Sequence, residues 1–419
     1  MSSLGQTPRI AQLAKIIAEA VVNVQQKLTE TSSPFPSFDE DSPVTLPPEL
    51  SDSREVALAA ASELFDLLSD PITLIRRYGG HNNSVCLQAI ARFKIAGMIP
   101  LGGTRTYAEI AEETGISEHM IRRLIRYAMT MHIFHEPESG VVGHTKASRI
   151  LAGPEANDWL KAGTEEMWPA AVRMMDALQK WPNSSEPNET GYSLSSGMGK
   201  SIYEIMGSSF DCATCLANSM KMFAASPEYD ISYLIDSYDW NSLGQAQVLD
   251  VGGARGHVAM GLASRFPNLN IIVQDMKEVV ENAEADLPAQ LYDRVKFMSH
   301  ELFSPQNTRA DIVLFRWVLH NWSDKHCLQI LRAQVPMLEK NSRIIIQEMI
   351  MPEAGDVPLW KERDMRSNDL DMAAVFNSKE RSLKEWKTLV SEADPRFAVG
   401  EVKEPKGSAL GTIEVIFTR

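Results

Sequence analysis

Residues 248–275, VLDVGGARGHVAMGLASRFPNLNIIVQD, constrain the fold of this chain more than any other stretch. An apolar run ends in Asp250, and a glycine-rich turn follows, Gly252-Gly253-Ala254-Arg255-Gly256. An amphipathic run with Val258, Leu262 and Phe266 then leads to a second apolar run, Ile271-Ile272-Val273, which ends in Asp275. Strand, tight turn, helix and strand in that order make a βαβ unit, whose parallel strands commit the region to an open α/β sheet. Strand-like segments at 247–251, 271–274, 295–298, 311–315, 343–348 and 412–417, mostly separated by helical patterns, predict a doubly wound sheet from about residue 230 onward.

The chemistry of the turn narrows the ligand. Glycines admit a ligand close to the backbone because no Cβ stands in the way. Dinucleotide folds use G-x-G-x-x-G and place a pyrophosphate on the helix N-terminus. This chain has Asp-x-Gly-Gly-x-x-Gly instead, with Asp250 two residues before the first glycine. A carboxylate there repels phosphate and pairs with an amino or cationic group. S-adenosylmethionine has an amino-acid tail, a sulfonium and no phosphate, and is therefore favoured over NAD. Asp275, at the end of the second strand, is placed to take both hydroxyls of a ribose. Tight βα turns need glycine for backbone reasons too, so the two acids carry the argument.

Composition sets outer bounds. The 419 residues suffice for two or three domains, and the net charge of −14 argues against nucleic acid and acidic membranes as partners. No apolar stretch reaches transmembrane length, and the first residues lack the apolar core of a signal peptide, so a cytosolic protein is expected. Four cysteines, Cys86, Cys212, Cys215 and Cys327, fit a reducing compartment. Cys212 and Cys215 form a lone C-x-x-C with no second pair or histidine cluster, which favours packing over zinc, and no metal is expected.

The N-terminal half reads as helical. Ile10, Leu13, Ile17, Val21, Val24 and Leu28 share one face of a helix, and the Pro-, Ser- and acid-rich 31–53 reads as a linker. In 54–155, TYAEIAEETGISEHMIRRLIRYAMTMHIFHE has the pattern of a helix-turn-helix with Gly115 at the turn, and HEPESGVVGH that of a short wing. Arg122, Arg123 and Arg126 on the second helix are surrounded by acids, so the unit is read as a dimerisation module rather than a DNA reader. His119 and His132, both read as helical, have no ligand-like partners. Residues 156–229 form a helical bridge rich in Met and aromatics, and 230–419 the sheet domain. Such a stripe is usually core, but it also lines adaptable apolar pockets, for which Trp168, Met222, Phe223 and, further on, Phe376 are the candidates.

The segment DIVLFRWVLHNWSDKHCLQILR places His320 just past the carboxyl end of a buried strand, where ligands sit in an open α/β sheet. A neutral imidazole is a suitable base for a phenol or alcohol. A helix-capping role for His320 is the competing reading. The next strand ends at Glu348, and FNSKERSLKEW puts Glu380 in a loop before a helix. Two carboxylates can orient the ring and stabilise its imidazolium, as in triad logic.

These segments, together with EEMWPAA, MPEAGDVPLWKERDMR and EADPRF, resemble the caffeic-acid/flavonoid type of class I S-adenosylmethionine-dependent O-methyltransferases, in particular the fungal secondary-metabolite branch, from about residue 55 to the end. The resemblance implies a Rossmann-like methyltransferase sheet behind a mainly helical winged-helix dimerisation domain, and a homodimer. It implies His320 as the base that takes the acceptor's proton, flanked by Glu348 and Glu380. It implies Asp250, Gly252, Gly253 and Gly256 in the cofactor loop, Asp275 on the ribose, Glu301 and Leu302 near adenine, and Arg316 beside the cofactor. Ala254 stands where a third glycine is common, and Glu301 where Asp is usual. The expected reaction is methyl transfer from S-adenosylmethionine to a phenol or enol of an aromatic or polyketide-type small molecule. Some fungal proteins of this fold instead bind the cofactor without consuming it and catalyse dehydration or pericyclic steps on polyketide-derived pyridones. A non-catalytic regulator is the third class, and the trio of His320, Glu348 and Glu380 opposes it.

Overall fold

The computed structural model describes residues 7–206 and 218–418, so Cys212 and Cys215 lie outside the described residues. The chain divides into two compact units, one built from 7–168, 218–222 and 354–364, the other from 169–206, 223–353 and 365–418.

In the first unit, the helix Arg9–Glu30 buries Leu13, Ala20 and Leu28 on one face and packs along the helix Ser51–Leu68. That second helix begins inside the stretch read as linker. The remainder is no loose tether either: Phe38 stacks on His132 with ring centroids 3.7 Å apart, Asp39 bridges to Thr145, and Glu40 accepts from the Gly102 N–H at 3.0 Å. The helix-turn-helix is present as Tyr107–Thr114 and Glu118–Met129. Thr106 and Glu109 close a capping box at its start, and Gly115 ends the first helix at φ 70°. Strands β1 (Thr104–Thr106) and β2 (Val141–Gly143) pair antiparallel as the wing. His132 is not helical, because the helix ends at Met129 and its own φ is 59°. Arg122 pairs with Glu118 at 2.6 Å and Arg126 with Glu136 at 2.9 Å, and both guanidinium groups lie over the Tyr107 ring. Leu67, Leu68, Ile72 and Ile75 stand exposed in this unit.

The second unit holds β3 (Ala246–Val251), β4 (Leu269–Asp275), β5 (Val295–Ser299), β6 (Ile312–Arg316), β7 (Arg343–Glu348), β8 (Phe397–Lys403) and β9 (Gly411–Phe417). They form one sheet in the order β5-β4-β3-β6-β7-β9-β8, with β9 antiparallel to both neighbours and the remaining pairs parallel. Strand β8 is additional to the sequence expectation. Its apolar alternation is interrupted by Gly400 and a register shift between Val399 and Val402.

Alternate side chains feed opposite layers, as a pleated strand requires. Leu249, Val251, Val313 and Phe315 pack with Trp386 and Leu389 on one face, whereas Val248, Val273, Leu314 and Ile345 pack with Ala259, Leu262 and Trp240 on the other. The sheet is thus buried on both sides, which is why its central strands read as continuous apolar runs. The chain runs outward from β3 through β4 to β5 and then crosses back to β6 on the other side of β3, so the carboxyl ends of β3 and β6 flank the switch point where such sheets bind ligands.

The expectation of a buried Met and aromatic stripe at 156–229 is only partly met: Met175, on the helix Trp168–Lys180, is 59 % exposed beside exposed Val172 and Leu178.

Candidate active site

The turn after β3 wraps a buried acid. Asp250 is 2 % exposed and its Oδ2 has no hydrogen-bond partner among the described residues. Burial pushes its pKa up to about 7, with Arg316 opposing and Asp275 adding to the rise. A Cβ on Gly253 would stand 2.5 Å from Asp250 Oδ2, and one on Gly252 2.6 Å from Val318 Cγ2. Gly252 and Gly256 also sit at φ 74° and 78°. Glycine at these positions is therefore a requirement of space and of backbone conformation.

Ala254 holds φ 49° in the same turn, a conformation that disfavours a Cβ by roughly 1–2 kcal/mol. Ala254→Gly is expected to raise stability by about 0.5–1 kcal/mol once the greater freedom of an unfolded glycine is subtracted, measured as urea midpoint at constant m. A lower midpoint would show that the turn bears no such strain.

Asp275 Oδ2 accepts from the Ala254 N–H at 2.9 Å and Oδ1 from the Met276 N–H at 2.8 Å. Burial raises its pKa and these donors oppose the rise. Arg316 Nε donates to Gln347 at 2.8 Å and Nη2 to the Tyr229 carbonyl at 2.6 Å, with the guanidinium 4.4 Å from the Trp317 ring centroid. Leu302 is half-buried against the sheet core. Glu301 is exposed and accepts from the Phe303 N–H of its own turn at 3.4 Å.

The turn after β6 carries His320. Its Nδ1 lies 2.7 Å from Glu380 Oε1, and its Nε2 has no hydrogen-bond partner among the described residues. A carboxylate at Nδ1 fixes the proton there and leaves the lone pair on Nε2. Burial works against a charged ring, but Glu348 and Glu380 outweigh it and hold the pKa at about 8. Glu348 is fully buried at the end of β7, where Oε1 accepts from the Val318 and Leu319 N–H groups at 2.9 and 2.8 Å. Burial raises its pKa and His320 pulls it down. Oε2 of Glu348 and Oε2 of Glu380 are buried without hydrogen-bond partners among the described residues. The structure thus brings all three sequence candidates to one place, from three separate segments.

Aromatic rings surround this turn. Tyr203 stacks on Trp322 with centroids 5.3 Å apart and 12° between planes, Phe376 lies 5.8 Å from Tyr203, and Phe303 meets Trp322 edge-on at 4.8 Å. Burial raises the Tyr203 pKa, and the charges of Asp275 and Glu348 add to the rise. Phe223 stacks on Tyr229 at 4.6 Å and tilts against Trp317 at 5.7 Å. Met222 packs on the winged-helix core in the first unit, and half-buried Trp168, also of that unit, follows the π-helical turn Ala162–Met167. Tyr203, Trp322, Phe303 and Arg381 went unrecognised in the sequence. Arg381 is fully buried beneath the turn, beside Cys327, whose thiol burial pushes up to about 12.

Residues 176–395 match the O-methyltransferase domain family and residues 76–154 the O-methyltransferase dimerisation domain. The O-methyltransferase PaMT of Phomopsis amygdali is 40 % identical over 412 residues, covering 98 % of this chain and 96 % of that protein. The chain belongs to the O-methyltransferase family. It is an S-adenosylmethionine-dependent O-methyltransferase with a Rossmann-like sheet and a helical dimerisation domain. The grayanic acid biosynthesis cluster O-methyltransferase of Cladonia grayi is 35 % identical, covering 97 % of this chain and 88 % of its own length.

Among solved structures, OxaC superposes with a TM-score of 0.78 at 19 % identity over 98 % of this chain and all of its own. LepI, solved in complex with SAM, superposes with a TM-score of 0.73 at 19 % identity over 97 % of this chain. Both share the fold. Among the described residues, no helix is long and apolar enough to cross a membrane, and no His, Cys, Asp and Glu cluster is arranged to hold a metal.

Proposed function

We propose that this O-methyltransferase transfers the methyl group to a phenol or enol hydroxyl of an aromatic or polyketide-type secondary metabolite, with His320 as general base. The observation that carries this reading is the His320 ring, held at Nδ1 by Glu380 at 2.7 Å with Nε2 unbonded. His320 Nε2 takes the hydroxyl proton, Glu380 keeps the ring in the productive tautomer, and Glu348 stabilises the resulting imidazolium. The stacked Tyr203 and Trp322, with Phe303, Phe376 and Phe223 nearby, favour a flat acceptor.

The residues of the β3 turn fit the cofactor. Asp250 offers an unpartnered buried oxygen to an amino group, the glycines clear space for it, and Asp275 stands ready for ribose hydroxyls. Glu301, Leu302 and Arg316 are assigned to the same site by the family resemblance. When bound, S-adenosylmethionine supplies an electrophilic methyl group. The dimerisation domain and the exposed apolar side chains of the first unit support a homodimer as the working form.

A pericyclic reaction enzyme shares the fold, with a TM-score of 0.73 at 20 % identity, so the decisive experiment follows the methyl group. With methyl-labelled S-adenosylmethionine and a panel of phenolic and polyketide acceptors, label is expected in the product, with one S-adenosylhomocysteine formed per turnover. Rearranged product with the cofactor unconsumed would replace methyl transfer by pericyclic chemistry.

A base must be neutral to act, and the folded pKa of His320 is raised from 6.5 to about 8. kcat/KM is therefore expected to climb with pH and level off above about 8. Glu380→Gln removes one of the charges that raise this pKa, so the limb should move down toward the ordinary histidine value of about 6.5. A pH–rate profile that is flat between about 6 and 9 would leave His320 without a role as base.

A further inference from the structure

One short segment, Ser378 to Arg381, takes three carbonyls of the turn around His320, while Glu348 takes its Val318 and Leu319 N–H groups and the Cys327 thiol shares the Leu319 and Trp322 carbonyls. Ser378 Oγ donates to the His320 carbonyl, and Glu380 takes the His320 ring. Arg381, with no exposed side-chain surface, donates from Nη1 to the Leu319 carbonyl at 3.1 Å and from Nη2 to the Trp322 carbonyl at 2.8 Å. Its Nε donates to Asp324 Oδ1 at 2.8 Å, and its guanidinium lies 5.0 Å from the Trp386 ring centroid. The segment is itself anchored to the chain just past β7, where Ile350 bridges to Arg381 and the Met351 N–H donates to the Arg381 carbonyl at 2.9 Å.

A fully buried cation is costly unless each donor is used, and here a single planar fork spans a carboxylate and two carbonyls that bracket His320. We propose that Arg381 is the positioning residue of the base, holding the two carbonyls on either side of His320 so that the imidazole stays on Glu380. This inference rests on the reading of His320 as the base. It adds a group that touches neither acceptor nor cofactor.

The groups that act on the His320 ring are Glu348, Glu380 and Arg381, with Asp369 behind Glu380 through its N–H at 2.8 Å. The two carboxylates favour the charged ring, and Arg381 is the cation that opposes them. Two functions of Arg381 are therefore separable, its charge and its fork. Arg381→Met removes both. Arg381→Lys keeps the charge but cannot bond two carbonyls and Asp324 in one plane.

The test is histidine-imidazole NMR on the full-length protein with S-adenosylhomocysteine bound, His320 being assigned by its absence from His320→Ala. In Arg381→Met, exchange of the downfield Nδ1–H signal should quicken at least about tenfold as the ring loosens from Glu380. In Arg381→Lys, which keeps the charge, exchange should also quicken and the midpoint should fall toward the ordinary histidine value of about 6.5 as the contact with Glu380 loosens. Calorimetry should show S-adenosylhomocysteine bound with little change in both.

Unchanged exchange in Arg381→Met overturns the proposal. If only Arg381→Lys folds, unchanged exchange in that variant overturns it. Failure of both variants to fold or to bind S-adenosylhomocysteine also overturns it, because Arg381 is then purely structural. The base reading is judged on a different sample: full turnover by His320→Ala would remove it and leave these NMR results standing.

Discussion

His320→Ala is expected to bind S-adenosylhomocysteine as the unaltered protein does and to lose about 10²–10⁴-fold in kcat. The loss comes from removing Nε2, the atom that takes the proton, while the β3 turn that fits the cofactor is left intact. It should shrink at high pH, where a phenolic acceptor ionises unaided. Glu380→Gln and Glu348→Gln should cost less, since each steers or stabilises the ring and neither exchanges the proton. Glu348→Gln also keeps an acceptor oxygen for the Val318 and Leu319 N–H groups. Equal losses in all three would point to collapse of the turn rather than to proton transfer, and circular dichroism with the binding data would show which.

Gly253→Ala should damage the cofactor turn directly at its buried acid. Its Cβ would meet Asp250 Oδ2 at 2.5 Å and Val273 Cγ1 at 2.9 Å, and both neighbours belong to buried central strands with no room to retreat. Overpacking of this kind costs about 1–3 kcal/mol. Relief would require Asp250 to turn away or the loop to lift. Either movement spoils the carboxylate read here as the partner of the cofactor's amino group. S-adenosylhomocysteine binding by calorimetry is expected to weaken about 5–100-fold, together with a lower Tm. Unchanged affinity would show that the turn is not where the cofactor lies.

The sheet was legible because β3, β4, β6 and β7 are covered on both faces and so appear as unbroken apolar runs. Strand β8 was not, since Gly400 and the bulge beside it erase the alternation that marks a strand. His320, Glu348 and Glu380 could be found because two of them follow strand ends and the third lies in a motif with family resemblance. Arg381 adjoins Glu380, yet nothing in one sequence reveals that its side chain runs under a turn 60 residues upstream. Tyr203 was lost among Met and aromatic residues whose helical spacing looks the same whether they face a core or a ligand. The stretch 31–53, read as a linker, ends in helix from Pro48 onward, and proline and serine content carries no signal for the pairing of Phe38 with His132 that ties it down.

The thiol of Cys327 lies beneath the His320 turn, 3.1 Å from the Leu319 carbonyl and 3.2 Å from that of Trp322, fully buried and far from its thiolate form. A thiol so placed is inert to alkylating reagents until the turn above it lifts. Its labelling rate is therefore a clock for breathing of the catalytic loop. Cys86, buried in the helical unit, keeps separate time for that part of the molecule. A ligand that slows the first clock and not the second is one that settles on the His320 turn.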